Sequence, residues 1–97
     1  MEMLTFEFPA TGPKGKSSHV GVVGSGDLEI LMEPTEGNQT TVKIQTSVAG
    51  FGATWKAVLE RFLQNYPVAS NIEIYDFGAT PGTVALRLRQ AMEVSKL

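Results

Sequence analysis

Thr40-Thr-Val-Lys-Ile-Gln-Thr-Ser-Val48 is the stretch that decides the fold, because the spacing of apolar side chains changes directly after it. Within the stretch apolar and polar residues alternate, which is typical of a β-strand with one buried face. From Trp55 to Tyr66 large apolar residues recur instead at intervals of three and four, which predicts an amphipathic helix. The chain therefore changes from strand to helix between Val48 and Trp55, and Pro67 ends the predicted helix.

Three further strands are predicted before this stretch, each by alternation or by a short apolar run. They span residues 4–8, 19–23 and 28–33. The Gly- and Pro-rich segments between them are short, and short connections of this kind predict an antiparallel meander. After the first helix, residues 71–77 alternate again and predict a fifth strand.

A second helix follows the fifth strand, with Thr80 as its predicted N-cap and Pro81 in its first turn. The predicted order is β-β-β-β-α-β-α. Because both helices carry an apolar stripe, the sequence predicts an α+β fold in which a mostly antiparallel sheet has two helices packed on one face.

Length and composition limit the possible functions. The chain has 97 residues and a formal net charge of −2, so we expect residues 1–97 to form a single domain. Such a charge does not suggest binding to nucleic acid or to an anionic membrane, and every apolar run is much shorter than a bilayer span. The residues from Met1 to Leu4 do not resemble a secretory signal, so we expect a cytoplasmic protein. The chain has no cysteine, which excludes disulfides and cysteine-based metal sites.

The segment Gly24-Ser-Gly-Asp27 presents one hydroxyl group, that of Ser25, between two glycines. It lies between two strand-like runs, so a hairpin turn is its simplest interpretation. Flanking glycines leave the serine unshielded and accessible to another enzyme. Ser25 is poorly placed as a nucleophile, because His19 is six residues away, across a strand that should point the two side chains apart.

Two short motifs resemble enzyme motifs only in isolation. Residues 10–17 fit a relaxed phosphate-binding loop, but a valine-rich strand follows them instead of the helix that such a loop requires. A flexible basic loop is therefore the favoured interpretation of residues 10–17, and a nucleotide-hydrolysing enzyme is the alternative. Asp76-Phe-Gly78 matches the magnesium motif of kinases, but a kinase domain does not fit into 97 residues. We expect Asp76 to accept hydrogen bonds from nearby amides at the end of a strand.

The remaining acidic side chains are scattered over strands and turns. Glu29 and Glu33 are predicted to line the solvent face of the sheet. They lack the paired geometry of general acid–base catalysis and of a metal site, so we expect no catalytic residues and no metal. Trp55 lies on the apolar stripe of the first helix, where a place in the core is the expected role.

Two separate segments resemble those of the malonate decarboxylase acyl carrier family, the delta subunits. Residues 22–31 look like the family's modification segment, and residues 76–82 are similar to its second characteristic stretch. Residues 46–48 and Trp55 also lie where the family has like residues, and the length agrees. A more distant likeness is to the citrate lyase acyl carrier subunit.

The resemblance implies a non-catalytic carrier subunit. It implies that Ser25 carries 2'-(5''-phosphoribosyl)-3'-dephospho-coenzyme A through a phosphodiester, with Gly24, Gly26 and Asp27 forming the attachment turn. The implied partners are the transferase and decarboxylase subunits of malonate decarboxylase, between which acetyl and malonyl thioesters are shuttled. A prosthetic-group transferase, the holo-carrier synthase, is implied as the modifying enzyme. The lack of cysteine agrees, because a thioester then requires a thiol from an attached group.

The alternative is a small α+β binding or regulatory module with no prosthetic group. In that interpretation Gly24–Asp27 is only a hairpin turn, which is a common use of glycine-rich segments. The two interpretations differ in what they predict for Ser25→Ala, since only a carrier loses its attachment point.

Overall fold

A computed structural model of the chain describes residues 2–10, 21–35, 37–47, 49–64 and 69–95. The predicted order of elements and the α+β class are confirmed. The elements are β1 (Glu2–Pro9), β2 (Gly21–Ser25), β3 (Leu28–Pro34), β4 (Gln39–Thr46), α1 (Gly52–Gln64), β5 (Ser70–Asp76) and α2 (Pro81–Ser95). His19, residues 11–17 and the predicted end of the first helix at Tyr66 and Pro67 lie outside the described residues.

The five strands form one sheet in the order β1-β4-β5-β3-β2. The predicted meander is wrong, because β1 pairs with β4 and β5 lies between β3 and β4. The sheet is mostly antiparallel as predicted, since β4 and β5 form its one parallel pair. The α1 helix supplies the long crossover that a parallel pair needs, while β2 and β3 form a hairpin.

The buried core lies between one face of the sheet and the two helices. Alternation places Ile30, Ile44 and Ile74 in neighbouring positions of β3, β4 and β5, each at most 1% exposed. The α1 helix buries Trp55 and Leu59, and α2 contributes a stripe of three buried side chains, Val84, Leu88 and Ala91. Burial of one such aliphatic side chain stabilises the fold by roughly 1.5–3 kcal/mol. Both helices therefore cover the same face, as the sequence predicted.

The opposite face of the sheet is polar and is called here the open face. It carries Glu29 and Lys43, both exposed, with Glu73 and Tyr75 between them in the register. The Tyr75 hydroxyl donates a hydrogen bond of 3.2 Å to Glu73 Oε2. This hydrogen bond and the charge of the Glu73 carboxylate raise the pKa of Tyr75 above its ordinary value of 10.0.

Neither described helix combines the length and the apolar character that a membrane-spanning helix requires.

Candidate functional site

The Gly24–Asp27 segment forms the hairpin that the sequence predicted. Ser25 ends β2 and pairs with Leu28, which leaves Gly26 and Asp27 as a two-residue turn. Gly24, Gly26 and Asp27 are all exposed. A Cβ atom built on Gly26 would meet no atom within 4 Å, and one on Gly24 would meet only Glu29 Cγ, at 3.9 Å.

These two glycines act through their missing side chains. Neither Gly24 nor Gly26 has φ in the left-handed region, so neither position requires glycine for its backbone conformation. What they leave is open space at Gly26 and, at Gly24, room for a Cβ atom in ordinary contact with Glu29.

The second segment of the sequence resemblance, residues 76–82, lies beside this turn. Leu28 pairs with Ser25 on one side and with Asp76 on the other, so the three residues form one row across the sheet. Two strand spacings put the Cα atom of Ser25 about 10 Å from that of Asp76. The backbone N–H of Phe77 donates to the carbonyl oxygen of Asp27 at 2.9 Å, which ties the turn directly to this segment.

Asp76 organises the segment that follows β5. Its side chain is only 4% exposed, and Oδ1 accepts hydrogen bonds from the backbone N–H groups of Gly78 at 3.1 Å and Ala79 at 2.8 Å. Oδ2 accepts one from Thr46 Oγ1 at 2.8 Å. Gly78 has φ of +116°, a conformation that glycine adopts at little cost. The predicted role of Asp76 as an acceptor for nearby amides is therefore confirmed.

The α2 helix starts where the sequence predicted. Thr80 Oγ1 accepts a hydrogen bond from the backbone N–H of Thr83 at 3.3 Å, which is the contact of an N-cap. Pro81 is the first helical residue, a position where the missing N–H of proline has no consequence. Together Asp76 and Thr80 fix the path of the chain from β5 into α2.

A cleft of about 470 Å³ opens between the N-terminal halves of α1 and α2. Its walls are mostly apolar, and Thr46 and Asp76 lie at its base. The walls include Phe51, Trp55, Val58, Ala79, Pro81 and Val84. Phe51 is half exposed and directly precedes α1. Phe77 is 56% exposed and lies in the chain between Asp76 and Gly78, which both line the cleft.

Sequence reasoning missed this cleft. Trp55 is 7% exposed, so its predicted place in the core is confirmed, but its ring also lines the cleft. The one sequence signal was Phe51, which lies outside the predicted apolar stripe of the first helix and directly before α1.

Apart from the segment Asp76–Gly78, the residues considered for other chemistry do not join this site in the described part of the chain. Glu29 and Glu33 are exposed on the open face, as predicted. Across the described ranges, no three His, Cys, Asp or Glu side chains are grouped so that they could hold a metal ion. The phosphate-loop-like residues 11–17 and His19 lie outside those ranges.

Comparison with known proteins identifies relatives over nearly the whole length. The family model described as malonate decarboxylase delta subunit matches residues 15–95. The malonate decarboxylase acyl carrier proteins of Azotobacter vinelandii and Pseudomonas fluorescens are 50% and 52% identical over 94 residues, covering 96% of this chain and 95% of each relative. One chain in the crystal structure of a Pseudomonas malonate decarboxylase hetero-tetramer in complex with malonate is 45% identical, with a TM-score of 0.82. That match covers 96% of this chain and 97% of the other.

Proposed function

Because the chain belongs to the malonate decarboxylase delta subunit family, we propose that it is the acyl carrier subunit of a malonate decarboxylase and is modified at Ser25. The observation that carries this proposal is the position of Ser25 at the end of β2, directly before an exposed two-residue turn. An attaching enzyme must reach a serine without opening the core, and a hairpin end meets this requirement.

The proposed group is 2'-(5''-phosphoribosyl)-3'-dephospho-coenzyme A, joined to Ser25 by a phosphodiester. The residues around the turn fit a group of this size, because open space surrounds the position of a Cβ atom on Gly26. When bound, the group supplies the thiol that holds acetyl and malonyl groups as thioesters, which this chain without cysteine lacks. Gly24 and Gly26 keep the attachment turn uncrowded, and the Asp27 carbonyl oxygen anchors the turn to Phe77.

The subunit is a non-catalytic carrier in this proposal. It presents its acyl group in turn to a transferase subunit and to the decarboxylase subunits, and a holo-carrier synthase attaches the group. The proposal that it has partners of this kind is supported by the related chain in the crystal structure of a malonate decarboxylase hetero-tetramer. Tethering raises the effective concentration of the carried group at each partner, to the millimolar range for short flexible linkers.

We place the subunit in the cytoplasm, without nucleic-acid or membrane partners. The net charge of −2 supports the absence of nucleic-acid and membrane partners, because binding to phosphate backbones or anionic lipid surfaces generally relies on a basic patch.

The proposal is tested by intact-protein mass spectrometry after co-expression with the modifying enzymes. We expect the native chain to gain the mass of the phosphoribosyl-dephospho-coenzyme A group and Ser25→Ala to gain nothing. Ser47→Ala is the matched control, because Ser47 is an exposed serine and its backbone N–H still donates to the Asp76 carbonyl oxygen after substitution.

An unchanged mass of the native chain contradicts the proposal if the same enzymes modify the Pseudomonas fluorescens relative in a parallel culture. That result favours the alternative, a small α+β binding or regulatory module in which Gly24–Asp27 is only a turn. A mass gain that persists in Ser25→Ala places the attachment at another residue.

A further inference from the structure

We propose that the cleft between α1 and α2 binds the uncharged acyl-thioester end of the group attached at Ser25. This inference rests on the proposed function and adds a binding site on the carrier itself. Its basis is the position, size, apolar walls and occupied polar groups of the cleft.

The cleft lies within reach of the attachment point. Asp76, at the base of the cleft, is in the same row of the sheet as Ser25, about 10 Å away between Cα atoms. The hydrogen bond from Phe77 N–H to the Asp27 carbonyl oxygen, 2.9 Å long, holds the turn beside this side of the cleft. A group attached to Ser25 can therefore fold back into the cleft without any change in the backbone.

The cleft has the dimensions of a small-molecule site. Its volume of about 470 Å³ falls in the range of roughly 300–1,000 Å³ that is usual for ligand pockets. Trp55, Val58 and Val84 give it apolar walls, and Phe51 offers a half-exposed ring beside them. Such a surface favours acyl and methyl groups, because covering it with an apolar ligand removes both surfaces from water.

The polar groups at the base of the cleft are already engaged with one another. Asp76 accepts the hydroxyl of Thr46 through Oδ2 and the amides of Gly78 and Ala79 through Oδ1. The side chains that line the cleft in the described structure include no Lys or Arg. A second carboxylate would enter beside Asp76 with no cation to pair with, at the cost of its hydration. An acetyl thioester therefore fits the cleft better than a malonyl thioester does.

Weak binding is sufficient for this role. A short tether raises the local concentration of its end to the millimolar range, so a cleft with a Kd near 1 mM is already substantially occupied. The same cleft would be nearly empty with free ligand at micromolar concentration. This dependence on the tether favours the attached group over a freely diffusing metabolite.

The first experiment uses the full, unmodified chain and free S-acetyl-pantetheine, with S-malonyl-pantetheine for comparison. Trp55, the single tryptophan of the chain, reports directly on the cleft through its fluorescence, and amide NMR signals locate the binding. We expect millimolar S-acetyl-pantetheine to change the emission of Trp55 and to shift the signals of residues around the cleft. S-malonyl-pantetheine should bind about tenfold more weakly, a difference of about 1.4 kcal/mol.

Two variants of the same helix provide the control. Thr54 lines the cleft and is exposed, so Thr54→Phe fills the cleft without touching the core. Ala57 is also exposed on α1 but does not line the cleft, so Ala57→Phe adds the same ring elsewhere. We expect Thr54→Phe to abolish the response and Ala57→Phe to retain it, with both variants folded by circular dichroism.

The second experiment compares acetylated and malonylated protein after loading at Ser25, which mass spectrometry verifies independently. The inference is supported if the NMR signals of residues around the cleft differ between the acetylated and malonylated forms, and if this difference disappears in Thr54→Phe. Successful loading without any response at the cleft, or with equal responses to both thioesters, overturns it and leaves the proposed function standing. If the NMR signals of the cleft respond only to added partner subunits, the inference is also overturned. Failure of loading at Ser25 contradicts the proposed function itself.

Discussion

Asp76 connects the two segments that the sequence pointed to separately. Its carboxylate serves three donors: one hydroxyl from β4 and two amides from the segment that leads into α2. The Thr46 hydroxyl is buried and would lose its partner without water to replace it, whereas the two amides are only partly buried. Asp76 therefore connects the ends of β4 and β5 to the cleft, and the next residue, Phe77, contacts the turn that bears Ser25.

We expect Asp76→Ala to destabilise the fold by about 2–4 kcal/mol, because it leaves the buried Thr46 hydroxyl and two partly buried amides without their acceptor. Asp76→Asn should cost less, since an amide oxygen can still accept from Gly78 and Ala79, and the Thr46 hydroxyl can rotate to accept from the amide nitrogen. Urea unfolding followed by circular dichroism measures both.

Glu33→Gln, which changes an exposed carboxylate of β3, is the control and should leave the unfolding midpoint nearly unchanged. Equal stabilities of Asp76→Ala and the native chain would show that the hydrogen bonds of this carboxylate contribute nothing net.

At the scale of the element, α2 connects the cleft to the sheet. Its apolar stripe packs on β2 and β3, while its first turn follows the segment that Asp76 holds. The sequence predicted its start correctly, because a threonine cap followed by proline is a local signal that needs no tertiary contact. The position of α2 therefore depends on both its cap and its packing.

We expect Thr80→Ala to destabilise the protein by about 1 kcal/mol, the usual contribution of a helix N-cap. The loss arises because the Thr83 N–H no longer has its acceptor. Thr80→Ser keeps a hydroxyl oxygen in this position and should retain most of the stability in the same thermal unfolding measurement. If the serine variant were as unstable as the alanine variant, the methyl group of Thr80 and not its cap would be responsible.

At the scale of the whole molecule, β5, the last described strand in the sequence, lies at the centre of the sheet. β5 pairs with β3 on one side and β4 on the other, and its residues Ile72 and Ile74 are at most 1% exposed. The edge strand β1 instead offers side chains that are only partly buried, such as Leu4. Stability is therefore expected to concentrate around β5.

Large-to-small substitutions test this distribution. Ile74→Ala should cost about 2–5 kcal/mol, because it leaves a cavity between Ile30, Ile44 and the helices. Leu4→Ala at the edge should cost less than half as much, since the partly buried side chain loses less contact area and water can fill the space. Free energies of unfolding from urea titration compare the two, and equal losses would refute a core centred on β5.

The sequence predicted what depends on neighbouring residues and missed what depends on pairing. Alternation in β4 and β5, the helical spacing in α1 and the hairpin at Gly24–Asp27 are local patterns, and each was correct. Strand order was wrong, because nothing in the alternation of β5 states which two strands it joins. The cleft was missed for the same reason, since Thr46, Trp55 and Asp76 meet only after β5 is inserted.

The central position of β5 has a consequence for the order of biosynthesis. The described residues up to Gln64 form four strands and one helix, yet the inner edges of β3 and β4 have no partner until residues 70–76 have been made. The hydrogen bond from Phe77 to the Asp27 carbonyl oxygen comes later still in the growing chain. A chain that ends before Phe77 therefore has a serine turn that lacks this anchor. Under the proposed function, a modifying enzyme would therefore meet the anchored turn only in chains that extend through Phe77.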